Sequence, residues 1–143
     1  AIVLAAAGLK RLGLAARIRS TLAVEDSLPA AGQAALGIEC LGARPELLDF
    51  LQPLEDPDAS ACVRAERQVN LALGGSCTIP LGAYAQIAGG RIRLRALVAS
   101  PDGRQAVRAE GEGAVQAAEA LGRRVAELLR ERGAGEILAA LAP

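Results

Sequence analysis

Three cysteines and fifteen arginines are the residues of this chain best suited to chemistry, because it contains no histidine and only one lysine, Lys10. Without histidine, neither a Ser-His nor a Cys-His nucleophile can be built from these residues alone. Cys40, Cys62 and Cys77 are far apart and form no CxxC pair, which argues against a structural zinc site and predicts no metal. Their odd number argues against a disulfide framework and for a reducing compartment. Cys40 and Cys62 lie within patterned segments and read as small apolar filler. Cys77 differs. In "NLALGGSCTIPLGAY" it follows Gly74-Gly75-Ser76, between the end of a predicted helix and the start of a predicted strand. The C-terminal end of a helix does not lower a thiol pKa. The residues alone therefore leave two readings open, an accessible linker cysteine and a point of attachment. Arginine forks suit carboxylates and phosphates better than lysine does, although the arginine bias is equally compatible with base composition.

Positioning these residues falls to a chain of 143 residues with formal charge zero. That length suits one domain, or a small domain with part of another. The apolar fraction is 52% and the aromatic fraction 1%, so any core must be aliphatic. The opening "AIVLAAAGLKRLG" lacks a basic stretch ahead of its apolar run, and that run is too short to span a bilayer. It is read as a buried strand, Ala1–Ala5, followed by two turns of helix closed at Gly13. "SLPAAGQAALGIEC" reads as a loop feeding a strand, and "PELLDFLQ" as a short helix from Pro45. The acidic run "QPLEDPDAS" marks a boundary, placing residues 1–52 before it and 53–143 after it.

Beyond the boundary the pattern predicts an α+β unit. Asp56, Pro57 and Asp58 supply an N-cap, a first helical position and a first-turn acid for a helix reaching about Leu73. "LGAYAQIA" and "RIRLRALV" alternate apolar and polar around Gly89-Gly90, a hairpin signal. "SPDG" leads into a third, weaker strand, "RQAVRAEGE". Ala118, Leu121, Val125, Leu128 and Leu129 form the stripe of a long helix over about 115–132, with Gly133 as its C-cap and "GEILAAL" as a last helix. The sum is a three-stranded antiparallel sheet covered by helices. The same α-β-β-β-α order occurs in double-stranded RNA-binding domains, but "GAVQAAEA" at the start of the long helix carries no positive charge for phosphates. No nucleic-acid or membrane partner is expected, and a solvated face is the expectation for Arg91, Arg93 and Arg95.

The stretches "AIVLAAAGLKRLG", "SLPAAGQAALGIEC", "RAERQVNLALGGSCTIPLGAYA" and "LRALVASPDG" together resemble the C-terminal half of hydroxymethylbilane synthase, also called porphobilinogen deaminase. The resemblance implies a cytoplasmic transferase of haem and tetrapyrrole biosynthesis, monomeric at full length. It joins four porphobilinogen molecules head to tail into hydroxymethylbilane, releasing ammonia. It implies a dipyrromethane cofactor held by a thioether to Cys77, formed once by a reactive electrophile, so that no activating base is needed. The cofactor and growing chain carry acetate and propionate groups, and Arg11 of "GLKRLG" is implied to face them. Gln33 of the "GQAA" loop is implied to lie near the cofactor. Residues 1–52 are implied to be remnants of two periplasmic-binding-protein-like α/β domains, and 53–143 the cofactor-carrying domain. The family's catalytic aspartate is implied to lie in an N-terminal half that these residues do not match. The absence of an initiating methionine fits a fragment, expected to be inactive alone. The alternative expectation is a non-catalytic binding or structural α+β module. Two departures stand out: Ala34 where the family has glycine, and Gly74-Gly75-Ser76 where it reads Glu-Gly-Gly.

Overall fold

Asp56 starts the longest helix of the computed structural model, which describes residues 2–75 and 79–141. Its carboxylate Oδ1 accepts from the Asp58 and Ala59 amides, both at 3.0 Å. Two of the donors a helix start leaves open are thereby satisfied, and Pro57 needs none. The helices and strands are α1 (Ala6–Arg11), α2 (Pro45–Leu51), α3 (Pro57–Ala72), β1 (Leu81–Ala88), β2 (Arg91–Ala99), β3 (Ala106–Ala114), α4 (Ala118–Glu131) and α5 (Ala134–Ala139). Short 3-10 turns follow α1 and α2 and precede α4.

The sheet is antiparallel in the order β1-β2-β3. Leu81 pairs with Val98 and Ala88 with Arg91 across the Gly89-Gly90 turn, and Arg91 pairs with Ala114 on the other side. Both turn glycines have positive φ, 57° and 73°, which makes the two-residue hairpin accessible without Cβ strain. Period-two alternation sends Ala83, Ala85, Ile92, Leu94, Ala96, Val98 and Ala109 to one buried face. Ala61, Ala65 and Val69 of α3 and Leu121, Val125 and Leu129 of α4 close over it. With no aromatic ring in this core, close approach supplies the packing. A Cβ on Gly122 of α4 would meet the Ala65 carbonyl oxygen of α3 at 2.5 Å.

The opposite face is charged and paired. Arg93 reaches Glu110 at 2.7 Å, Arg91 approaches Glu112 at 4.0 Å, and Arg95 meets Glu25 at 2.8 Å while lying over the Tyr84 ring. The arginine row is thus matched by carboxylates along its length.

Residues 2–56 differ from the rest. Helices α1 and α2 form where sequence patterning places them, but residues 2–5 form no strand, contrary to expectation. Ile2 and Val3 are about four-fifths exposed, at 81% and 79%. A strand needs a neighbour to take its amides and carbonyls, and no described strand lies beside them. The strand expected after the "GQAA" loop is also missing, and Leu36 there is 92% exposed.

Candidate functional site

Helix α3 carries the best-defined polar arrangement in the chain. Glu66 lies on the buried face of α3 between Ala65 and Val69 and is 6% exposed. Its two carboxylate oxygens are used separately: Oε2 accepts from the Gly32 amide and Oε1 from the Ala85 amide, both at 2.7 Å. Such distances are those of charge-assisted hydrogen bonds. Burial pushes the Glu66 carboxyl above its ordinary value, against the pull of the two amides.

Two elements therefore meet at one side chain. β1 is an edge strand, and its outward amides need partners beyond the sheet. Ala83 donates to the Pro29 carbonyl at 2.9 Å, and Ala85 donates to Glu66. The segment Leu28–Gly32 runs along this edge. Gly82 permits the approach, since a Cβ there would meet the Leu28 Cβ at 3.0 Å and its carbonyl oxygen at 3.1 Å. Glu25 ties the same segment to Arg95 from the outer face.

Gln33 sits at the tip of the turn so held. Its amide donates to the Ala30 carbonyl at 3.0 Å, and its side-chain Oε1 accepts from the Ala30 amide at 3.2 Å. The side chain is exposed. Ala34, next in the chain, has φ of +71°, the only positive value at a non-glycine among the described residues. The position where the family resemblance places glycine is thus one that favours glycine.

A cleft of about 1390 Å³ opens between this loop, α2 and α3; Gly32, Arg64, Arg67, Asn70 and Leu71 are among its lining residues. Arg64 pairs with Glu119 at 3.0 Å and donates to the Ser60 hydroxyl at 2.9 Å. Arg64 and Arg67 thus place two guanidinium groups of α3 in the wall of the cleft, the first of them already paired with a carboxylate. Past Asn70 the helix closes as a Schellman motif. Gly75 donates to the Asn70 carbonyl at 2.9 Å and Gly74 to Leu71 at 3.2 Å, with Gly74 and Gly75 both at positive φ. Arg130 of α4 donates to the Ala72 carbonyl and braces this end.

The sequence-predicted residues are distributed unevenly over this arrangement. Gln33 is exposed on a turn whose neighbouring Gly32 is bonded to α3 and whose Pro29 is bonded to β1. Arg11 is exposed in the last turn of α1, which packs on the 3-10 turn Ala15–Arg17, and no hydrogen bond or ion pair joins it to Gln33 or Glu66. Cys77 and Ser76 lie outside the described residues. Cys62 packs against the core, and burial together with Glu66, Asp58 and Asp56 pushes its thiol up, away from the reactive thiolate. Glu66 was missed by sequence reasoning. Its signal is a carboxylate in the apolar row Ala61, Ala65, Val69, Leu73.

Comparison with known proteins gives this geometry its context. Residues 60–131 match the family model described as "Porphobilinogen deaminase, C-terminal domain", and residues 1–49 match "Porphobilinogen deaminase, dipyromethane cofactor binding domain". The chain belongs to the porphobilinogen deaminase family. It is 59% identical over 143 residues to the porphobilinogen deaminase of Bordetella parapertussis, covering all of this chain and 46% of that protein. It is 53% identical over 141 residues to those of Thiobacillus denitrificans and Chromobacterium violaceum, in each case 99% of this chain and 46% of the relative. The chain thus spans about half the length of the curated relatives it matches. In porphobilinogen deaminase terms, the Gln33 turn falls in the segment matched as cofactor binding domain, and Glu66 falls in the segment matched as C-terminal domain. Their hydrogen-bonded junction joins the two matched segments.

Proposed function

We propose that this chain acts as the C-terminal half of a porphobilinogen deaminase, the cytoplasmic, monomeric transferase that joins four porphobilinogen molecules into hydroxymethylbilane and releases ammonia. In this reading residues 53–143 are the cofactor-carrying α+β domain, and residues 1–52 belong to two α/β domains of periplasmic-binding-protein type. A dipyrromethane joined to Cys77 by a thioether supplies the pyrrole end on which the product grows. Cys77 acts as an anchor that bonds once and holds, so the thiol requires no general base beside it. Arg11 presents a planar fork to the acetate and propionate carboxylates, where bidentate pairing fixes orientation as well as charge. Gln33 offers one acceptor and two donors from a braced turn. The catalytic aspartate belongs to the N-terminal half, so the chain by itself turns over no porphobilinogen.

The observation that carries this reading is the 59% identity sustained over all 143 residues. Intact mass of the chain produced together with the N-terminal half of a relative tests it. The expected result is an added mass of two linked pyrroles, lost in Cys77→Ser and kept in Cys40→Ser and Cys62→Ser. An assembled pair with no adduct on Cys77 would instead favour a non-catalytic α+β module.

A further inference from the structure

Glu66 has no part in the reading above, yet it is the only buried charged side chain among the described residues. A carboxylate out of water is costly unless donors replace the lost hydration. Here the donors come from outside its own helix: Gly32 of the loop and Ala85 of β1. A hydrophobic residue at 66 would leave two amides without acceptors, on the edge of a sheet and in the first turn of the Gln33 loop. The carboxylate therefore does not merely fill space. It is the shortest polar link between the loop, the edge strand and the helix that leads towards Cys77.

The loop also rests on apolar contact, with Ala31 against the core and Leu28 against Gly82, but its hydrogen-bonded anchors are few. Gln33, Ala34 and Ala35 are exposed. The turn's internal hydrogen bonds, Gln33 to Ala30 and Ala35 to Gly32, fix its shape and not its position. Beside those apolar contacts, polar anchorage comes from Ala83 to Pro29 at one end and Gly32 to Glu66 at the other. The second bond lies immediately before Gln33.

We propose that Glu66 is the positioning residue of the cofactor site, a buried clamp that holds the Gln33 turn at a fixed distance from α3 and β1. The proposal rests on the reading of Gln33 as a cofactor-facing residue. Glu66 touches neither cofactor nor substrate and acts through Gln33. Glutamine at 66 keeps the shape but offers one oxygen, and its NH₂ then opposes one of the two amide donors. Aspartate keeps the charge but is one methylene too short to reach both amides.

Two measurements test the clamp. Amide hydrogen exchange on the 143-residue chain reads it without any cofactor. Gly32 and Ala85 exchange slowly in the wild type, and Glu66→Gln speeds the hydrogen-bonded amides of Gly32, Gln33 and Ala35 at least about tenfold, while Val125 and Leu129 of α4 keep their protection. Loop amides already fast in the wild type, or unchanged in Glu66→Gln, would overturn the clamp. The second measurement is turnover by the enzyme assembled with its N-terminal half. Glu66→Gln lowers kcat about tenfold with the Cys77 adduct intact, and the double variant Glu66→Gln/Gln33→Ala loses no more than Gln33→Ala alone. Losses that add in full, or full turnover in Gln33→Ala, would overturn the positioning role. If the wild type takes up no pyrroles, the proposed function fails while the exchange measurement still decides the clamp.

Discussion

At the scale of single residues, Glu66 also predicts how stability responds to pH. Burial raises its carboxyl in the folded chain above the ordinary value of about 4.5, so the folded state holds the proton more tightly than the unfolded state. Its contribution is therefore present in full below the ordinary value and is lost as pH rises through the raised one. Glu25, Glu110 and Asp102 run the other way. Hydrogen bonds from Arg95, Arg93 and Ser100 respectively lower their carboxyls, so their contributions are lost as pH falls. Wild-type stability therefore mixes opposing slopes, and the difference between wild type and Glu66→Gln isolates one of them. Denaturant titrations across mildly acidic pH are expected to show the wild type losing stability relative to Glu66→Gln as pH rises. A difference that stays flat would place Glu66 at an ordinary carboxyl value. Ala34 offers a second residue-level prediction. A side chain held at φ of +71° costs about 1 kcal/mol relative to glycine. Ala34→Gly is expected to raise the denaturation midpoint by a fraction of that amount, since glycine's extra freedom in the unfolded chain offsets part of the gain.

At the scale of elements, Gly122 is the sharpest point of contact between α3 and α4. An alanine Cβ there would lie 2.5 Å from a backbone oxygen and 2.7 Å from the Gln68 Cβ, and backbone cannot swing aside. Gly122→Ala is expected to cost about 2–3 kcal/mol through overpacking. Gly8→Ala in α1, where nothing lies within 4 Å of the added carbon, costs nothing and can gain from helix propensity. Comparing the two variants by thermal unfolding separates packing from propensity. The elements around this contact were legible in the sequence because their signals are local. Asp56-Pro57 marks a helix start, Gly89-Gly90 a hairpin, and Leu121, Val125 and Leu129 a buried stripe. The strand expected at Ala1–Ala5 was illegible for the opposite reason. Its apolar run reports a wish to be buried, while a strand is made by neighbours that the run does not specify. Glu66 was illegible because a glutamate in a helix ordinarily faces water, and its partners lie 34 and 19 residues away in sequence. Gln33 and Arg11 emerged only through family resemblance, since an exposed glutamine and an exposed arginine carry no pattern of their own.

At the scale of the whole molecule, apolar surface divides the chain into two kinds of material. The core residues all come from positions 61–137, whereas Ile2, Val3, Leu12, Leu36, Ile38, Leu41, Phe50 and Leu54 are each more than half exposed. Local stability follows buried apolar contact, so residues 2–56 should open far more readily than the sheet and its helices. The Glu66 clamp interrupts that gradient, because residues 28–32 are bonded to β1 and α3 and Glu25 just before them to Arg95 of β2, whereas among the described residues no hydrogen bond joins 2–22 or 35–55 to the sheet. Limited digestion of the chain with a protease of broad specificity should therefore show three zones. Cuts are expected early in residues 2–22 and 35–55, later in 28–32, and last in 57–75 and 79–139. Assembly with the N-terminal half of a relative should slow the first two zones at least tenfold, by covering the exposed leucines and isoleucines, and leave the last unchanged. Early zones that stay equally sensitive after assembly would show that this half does not cover that apolar surface.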